Sequence, residues 1–353
     1  MNFLSMGLTN DLKQNFETFL EKDYIIGRVA LEHKRMYRVW TENGELLCEV
    51  SGKFSFAAGT REDYPAVGDW VIISPRIEEG KGTIQRILPR KSKFSRKAAG
   101  VTAEEQIIAT NIDTVFLVNS LNDDLNLRRM ERYLLLAWES GANPVIILSK
   151  MDLCIDDLQE KIAEVESVAI GVPVISLSSQ TDEGIEKLEP FLQAGKTIAL
   201  LGSSGVGKST LTNKLLGTEK QLVKGIREDD DKGRHTTTHR ELIQLANGAV
   251  LIDTPGMREL QLWDSPVGLS ETFTDIEELA NNCRFRDCEH KNEPGCFVQE
   301  SIKNGMLPVE RLASYKKLLK ELAYIERKTD KRAQLEEKKQ WKNIHKQIKH
   351  SKR

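Results

Sequence analysis

The chain has 353 residues, 39% of them hydrophobic and 29% charged, a balance that excludes disordered and fibrous classes and allows two or three separate cores. No apolar run approaches the roughly 20 residues that span a bilayer, and the amino-terminal MNFLSMGLTNDLKQNF lacks the pattern of a secretory signal, so a cytosolic chain with no membrane partner is expected. The net charge of −2 is uneven: residues 311–353 hold 15 Lys/Arg against 5 Asp/Glu, a local +10 facing −12 over the rest. That tail reads either as a polyanion contact or as a solvated charged helix.

Residues 24–88 contain short alternating runs, IIGRVALE, YRVWTE, ELLCEV, WVIISP and GTIQRIL, separated by turn residues. They predict a small β-barrel of the SH3-like or the oligonucleotide-binding (OB) type; the OB type is the reading taken. A basic stretch follows, with Arg90, Lys91, Lys93, Arg96 and Lys97 in PRKSKFSRK. It reads as a linker over 91–106, either a solvated connector or a phosphate contact. From residue 107 apolar strands (DTVFLVNS, PVIILSK, VPVISLS, KTIALLG, GAVLIDTPG) alternate with helical spacing at 128–140 and 156–169, which predicts a largely parallel α/β sheet. After about residue 270 comes a cysteine cluster, then a helix in which Val309, Leu312, Tyr315, Leu318, Leu319, Leu322 and Ile325 recur at three- and four-residue intervals and predict a packed face. The expected domains are a barrel at 1–90, an α/β domain at 107–270 and a metal-binding domain with a basic helical tail at 271–353.

The sharpest motif is Gly202-Ser203-Ser204-Gly205-Val206-Gly207-Lys208-Ser209-Thr210, directly after an apolar strand and before a helical run. That is the phosphate-loop pattern: glycines let backbone N–H groups face the phosphates, Lys208 neutralises β/γ oxygens and Ser209 ligates Mg²⁺. Asp253-Thr254-Pro255-Gly256 ends a second apolar strand. There Asp253 is placed to hold Mg²⁺ through water, and Gly256 to bring a backbone N–H to the γ-phosphate. Ser149-Lys150-Met151-Asp152 follows a third strand and resembles the Asn-Lys-x-Asp motif, whose carboxylate accepts two hydrogen bonds from guanine. Adenine cannot supply that pair, and unpaired buried acceptors are costly, so GTP/GDP is the expected nucleotide rather than the ATP of a P-loop kinase or ATPase. Ser149 stands for the Asn and shortens a side chain that ties loops together in that motif; Ser178 resembles the short loop whose backbone touches guanine O6. The order is unusual, since the base-reading motifs precede the phosphate loop: the G domain is circularly permuted. In Gly233-Arg234-His235-Thr236-Thr237-Thr238-His239-Arg240, Thr237, with Thr236 and Thr238 as rivals, is the candidate second Mg²⁺ ligand. His235 is the candidate for orienting the attacking water, because Met257 rather than a glutamine follows DTPG; the alternatives for a loop histidine are plain solvation or an RNA contact.

Of five cysteines, Cys48 and Cys154 stand alone, while Cys283, Cys288 and Cys296 share fourteen positions with His290. Three thiolates and an imidazole suit one closed, structural Zn²⁺ site, with an iron–sulfur centre as the alternative.

Taken together, the barrel, the permuted order of SKMD, GSSGVGKST, GRHTTTHREL and DTPGMREL, and the Cys-x4-Cys-x-His-x5-Cys cluster resemble the circularly permuted GTPases of small ribosomal subunit biogenesis, the RsgA (YjeQ/YloQ) type, over nearly the whole chain. The resemblance implies a protein, expected to be monomeric away from the ribosome, that binds the maturing small ribosomal subunit and its rRNA through its barrel and zinc domains. It also implies slow GTP hydrolysis that the subunit stimulates. The alternative is a nucleotide-gated RNA-binding assembly factor with little turnover.

Overall fold

The computed structural model describes residues 2–17, 19, 23–97, 105–122, 125–154, 157–217, 240–253 and 267–329. The chain divides into two compact units, Met1–Gln261 and Leu262–Arg353.

After helix α1 (Asn10–Glu17), the first unit builds strands β1 (Ile25–His33), β2 (Met36–Thr41), β3 (Gly44–Val50), helix α2 (Gly52–Ala57), β4 (Trp70–Arg76) and β5 (Lys81–Ile87). Their order is β1-β2-β3-β5-β4, and β4 returns to pair antiparallel with β1, closing a five-stranded barrel. Strand β3 pairs parallel with β5, and the helix between β3 and β4 completes the OB arrangement. Alternation sets the faces: Leu46 and Cys48 point into a core with Val39, Val71, Ile73 and Ile84, while Glu45, Leu47 and Glu49 face outward. At the β1–β2 hairpin Lys34 and Arg35 both take positive φ, 50° and 66°, as a two-residue type I′ turn requires.

Two strands flank residues 98–104 of the expected linker, which lie outside the described residues. Strands β6 (Lys93–Lys97) and β7 (Glu105–Thr110) form an antiparallel ribbon. Arg90 donates to both Asp69 carboxylate oxygens at 2.8 and 2.7 Å, Lys91 pairs with Asp113 at 2.6 Å and Lys93 with Glu105 at 2.8 Å. These three cations thus have acidic partners within the protein, Arg90 against fully buried Asp69 and Lys91 and Lys93 nearer the solvent. The side chains of Arg96 and Lys97 lie outside those described.

The α/β part comprises β8 (Thr114–Ser120), α3 (Leu127–Ser140), β9 (Asn143–Ser149), α4 (Leu158–Val168), β10 (Val174–Ser176), β11 (Thr197–Leu201), α5 (Lys208–Leu215), β12 (Glu241–Gln244) and β13 (Val250–Asp253). All seven residues of β8 are buried, as a strand covered on both faces must be. Helix α3 starts where the Asn126 side chain accepts the Arg129 N–H at 3.0 Å and stops at Gly141, whose φ is 82°. The sheet order is β10-β9-β8-β11-β13-β12, parallel except for β12. Strand β12 also pairs with β1 at Leu31↔Glu241, and Arg38 ion-pairs with Glu241, so the barrel and the α/β sheet form one hydrogen-bonded sheet of eleven strands.

Arg28, 1% exposed, ties this junction together. Its guanidinium donates to the carbonyls of Met6, Gly68 (3.2 Å) and Asn111 (3.3 Å) and to Thr197 Oγ1 (2.9 Å). Burial brings its pKa down to about 10 against the pull of Asp113 and Asp69, so it stays cationic at neutral pH.

The second unit contains helices α6 (Val267–Thr272), α7 (Thr274–Ala280), α8 (Phe297–Lys303) and α9 (Val309–Thr329). Buried Arg311 on α9 pairs with Asp275 at 2.9 and 3.0 Å, donates to the Thr272 carbonyl at 2.9 Å and lies over the Phe273 ring. The packed face of α9 is narrower than its spacing predicts: Leu312, Leu318 and Leu322 are buried, whereas Val309 and Leu319 are exposed. The basic tail beyond residue 329 lies outside the described residues. Among those described, no helix is long and apolar enough to cross a membrane.

Candidate nucleotide site and metal centre

Parallel strands β9, β8, β11 and β13 end at one edge of the sheet, and the motifs separated in sequence meet there. The loop after β11 runs from Gly202 through Ser203, Ser204, Gly205, Val206 and Gly207 into α5, which begins with Lys208, Ser209 and Thr210. A Cβ on Gly202 would stand 2.2 Å from the Val118 carbonyl of β8, so this close approach excludes any side chain. Gly207, at φ 93°, turns the chain into the helix. Val206 is buried and anchors the loop to the core, while Ser204, Gly205, Ser209 and Thr210 are exposed. Lys208 Nζ donates to the Gly202 carbonyl at 2.7 Å and to that of Ser203, so the ammonium sits at the mouth of the loop. A helix start, a glycine-rich loop and a lysine at its mouth together make an anion site.

Ser149 closes β9, 3% exposed, with its hydroxyl 2.6 Å from the Val206 carbonyl and 3.2 Å from that of Asn119. The shorter side chain thus still ties the base-side loop to the phosphate loop. Lys150 takes φ 59°, turning the chain so that the Met151 N–H donates to the Leu177 carbonyl at 3.1 Å. Fully buried Ser178 donates to Asp152 Oδ1 at 2.5 Å, and its oxygen accepts from the N–H groups of Gln180 and Thr181, each at 3.2 Å. The side chain of Ser178 therefore fixes the carboxylate, a bond that the expectation of a backbone contact did not include. Asp152 itself is exposed. Asn119 was also missed; it is 1% exposed, and the only sequence signal was a polar residue late in an apolar strand.

Asp253 ends β13, one residue beyond the Ala199↔Ile252 pair and so beside the phosphate-loop strand; its side chain lies outside those described. Gly256, His235 and Thr237 likewise fall outside the described residues.

The ligand atoms of Cys283, Cys288, His290 and Cys296 lie within 4.8 Å of one another. Separations are 3.9 Å for Cys283 Sγ to Cys296 Sγ, and 3.7 and 3.6 Å from His290 Nδ1 to Cys283 and Cys296. Tetrahedral zinc with ordinary bond lengths requires about 3.8 Å between sulfurs and about 3.6 Å between sulfur and nitrogen. The cluster fits that ion. His290 takes φ 54°, and its carbonyl accepts from Gln299 Nε2 and Lys316 Nζ, both at 2.7 Å, which fixes the ring's backbone. Burial and then Lys316 hold His290 below its ordinary pKa, in the neutral form that ligates. Burial, with neighbouring thiols, pushes Cys288 up to about 11, whereas, against its own burial, hydrogen bonds from the Val298 and Phe297 backbone hold Cys283 below its ordinary value; a bound cation would favour the thiolate of each.

A strand, phosphate loop and helix at a parallel sheet edge, stitched to a base-side Lys-x-Asp loop that precedes it in sequence, define a P-loop GTP hydrolase with a permuted chain. A family model described as RsgA GTPase matches residues 87–263, and one described as 50S ribosome-binding GTPase matches 197–339, beginning at the phosphate-loop strand and leaving out Ser149–Asp152. The small ribosomal subunit biogenesis GTPase RsgA 2 of Lactiplantibacillus plantarum is 47% identical, the alignment covering 92% of this chain and 90% of that protein. The RsgA of Opitutus terrae is 44% identical, with 98% and 96% covered. Among solved structures, YjeQ from Thermotoga maritima has a TM-score of 0.64 at 30% identity, with 85% of this chain and 99% of that chain covered. A circularly permuted GTPase, YloQ, has a TM-score of 0.59 at 26% identity, with 85% and 95% covered. The chain belongs to the RsgA GTPase family.

Proposed function

We propose that this protein binds the maturing small ribosomal subunit through its rRNA and hydrolyses GTP there, with turnover stimulated by the subunit. In this reading Gly202–Thr210 cradle the phosphates, Ser209, Thr237 and Asp253 hold Mg²⁺ directly or through water, and Gly256 meets the γ-phosphate. Asp152 reads the guanine N1–H and amine, Lys150 lies along the base, and His235 orients the attacking water. Cys283, Cys288, His290 and Cys296 hold one structural zinc. The protein acts in the cytosol as a monomer, and its barrel (residues 1–90) and zinc-bearing part (271–353) flank the GTPase domain (107–270) and contact RNA. The observation that carries the nucleotide assignment is the pair of bonds Ser178–Asp152 and Ser149–Val206, which hold the base-side carboxylate and the phosphate loop in one frame. The ribosomal assignment is supported by the names of the relatives.

The test is steady-state hydrolysis of GTP and ATP, alone and with purified small or large subunits, beside Lys208→Ala and Asp152→Asn. A slow GTP-specific rate raised strongly by small subunits and lost in Lys208→Ala is expected. A rate indifferent to subunits overturns the ribosomal part and leaves the GTPase standing. Subunit binding without turnover favours the nucleotide-gated assembly factor.

A further inference from the structure

Glu241 opens β12, a strand of only four residues, and stands where three segments cross. On one side it is in register with Asp253, the last residue of β13. On the other it pairs with Leu31 of barrel strand β1, the one register pair that joins β1 to β12 among the described residues. In sequence it comes three positions after Thr238, in the motif that carries Thr237. Its carboxylate is taken by Arg38 of β2. Arg38 lies on the outer face of the barrel because Tyr37 and Val39, its neighbours in the strand, fill the core. From the other side Glu45 of β3 brings one oxygen to 4.0 Å from the Arg38 Nε, while its second oxygen accepts the Trp40 indole N–H at 2.8 Å. Two barrel strands thus aim one guanidinium at the first residue of β12.

The Arg38–Glu241 pair fixes position more than it adds stability. Each side chain is 31% exposed, and ion pairs this open to solvent contribute little to folding. The neighbouring bond, from Arg240 to the Ile107 carbonyl, is long at 3.5 Å. Opposed residues of an antiparallel pair lie about 5 Å apart at Cα and are tied by the hydrogen bonds of the ladder. A shift of Glu241 therefore moves the backbone of Asp253 with it.

We propose that Arg38 is a positioning residue for GTP hydrolysis: by holding Glu241 it keeps the start of β12 and the end of β13 in register with the barrel, and so keeps Asp253 in place for Mg²⁺. It rests on the reading above in which Asp253 holds Mg²⁺. Arg38 acts through that pairing and not on the nucleotide. A group misplaced by about 1 Å costs on the order of a hundredfold in rate, and a loosened strand end, displaced by less, sets the expectation at roughly tenfold.

The test compares full-length wild type with Arg38→Ala, Arg38→Lys, Glu241→Ala, the double variant Arg38→Ala/Glu241→Ala, and Asp253→Asn. Two quantities are read: kcat and KM for GTP, and the Mn²⁺ affinity of the complex with a non-hydrolysable GTP analogue, followed by electron paramagnetic resonance. Arg38→Ala and Glu241→Ala are each expected to lower kcat roughly tenfold with KM near wild type, and to weaken Mn²⁺ binding. The double variant should be no worse than either single one, because the two residues act through one contact. Arg38→Lys should keep most of the rate, and melting temperatures should stay near that of the wild type. Single effects that add in the double variant, or a kcat and Mn²⁺ affinity that do not move, overturn the inference and leave the Asp253 reading intact. A fall in kcat that comes with a matching loss of thermal stability shows a merely structural role and overturns it as well. Asp253→Asn with wild-type Mn²⁺ affinity overturns the Asp253 reading and this inference with it.

Discussion

Ser149 supplies one hydroxyl proton where the Asn-Lys-x-Asp motif supplies an amide, and two carbonyls compete for it: Val206 at 2.6 Å and Asn119 at 3.2 Å. The shorter contact goes to the phosphate loop, so this residue couples the base side of the site to the phosphate side. Ser149→Ala leaves a buried carbonyl without its donor, a loss of about 1–3 kcal/mol when no water replaces it. Part of that cost falls on the nucleotide-free protein as well, so affinity for a fluorescent GDP analogue should drop by roughly fivefold to tenfold. Ser149→Asn should restore it. Unchanged affinity in Ser149→Ala would show that the tie does not position the loop. The motif was legible in sequence because Asp152 and Lys208 each follow an apolar strand at fixed spacing. Its partners were not, because Val206 lies 57 positions from Ser149 and only the sheet brings them together.

At the scale of elements, residues 283–296 gather three cysteines and a histidine whose ligand atoms lie within 4.8 Å of one another, and the proposed zinc would tie that segment together. The loop around His290 is also held by the Glu293 carboxylate, which accepts from the N–H groups of Glu289 (3.0 Å) and Lys291 (2.7 Å). Removing zinc with a strong chelator should expose the segment around α8 to protease and lower the melting temperature, because structural zinc contributes on the order of 10 kcal/mol to such segments. Elemental analysis should find one zinc per chain, and Cys283→Ser should lose it. Retained protection after complete zinc removal would mean that packing suffices. The cysteine spacing made the cluster readable, whereas the Lys316 and Gln299 bonds to the His290 carbonyl were hidden in a basic helix and a polar turn. The partners of Arg90, Lys91 and Lys93 were hidden for a related reason: charge density does not show which acidic groups of other segments the fold brings near.

On the scale of the first unit, Arg28 joins the amino-terminal segment, the barrel, the approach to β8 and the phosphate-loop strand through four acceptors. Arg28→Ala removes the donors, leaves those acceptors in a dry junction and opens a void. The expected loss is about 3–5 kcal/mol, read as a lower urea midpoint for unfolding. Arg28→Lys should fall between, since an ammonium cannot reach all four. A shift under about 1 kcal/mol would show that the junction is held by the β1–β12 pairing and the Arg38–Glu241 ion pair instead.

The sequence by itself determined the class of each part: alternation marked the barrel strands, continuous apolar runs marked the parallel sheet, and the loops following those runs carried the phosphate, guanine and metal motifs in permuted order. These are local signals, set by period and by the residue types that the chemistry demands. Tertiary structure decided the closure of the barrel through β1–β4 and β3–β5, the fusion of barrel and sheet at Leu31↔Glu241, and the direction of the Ser178 hydroxyl toward Asp152. It also decided which cations pair internally and which, like Lys53, stay on the surface. Those outcomes depend on contacts between residues far apart in the chain, where one hydroxyl or carboxylate chooses among partners that only the folded state brings within reach.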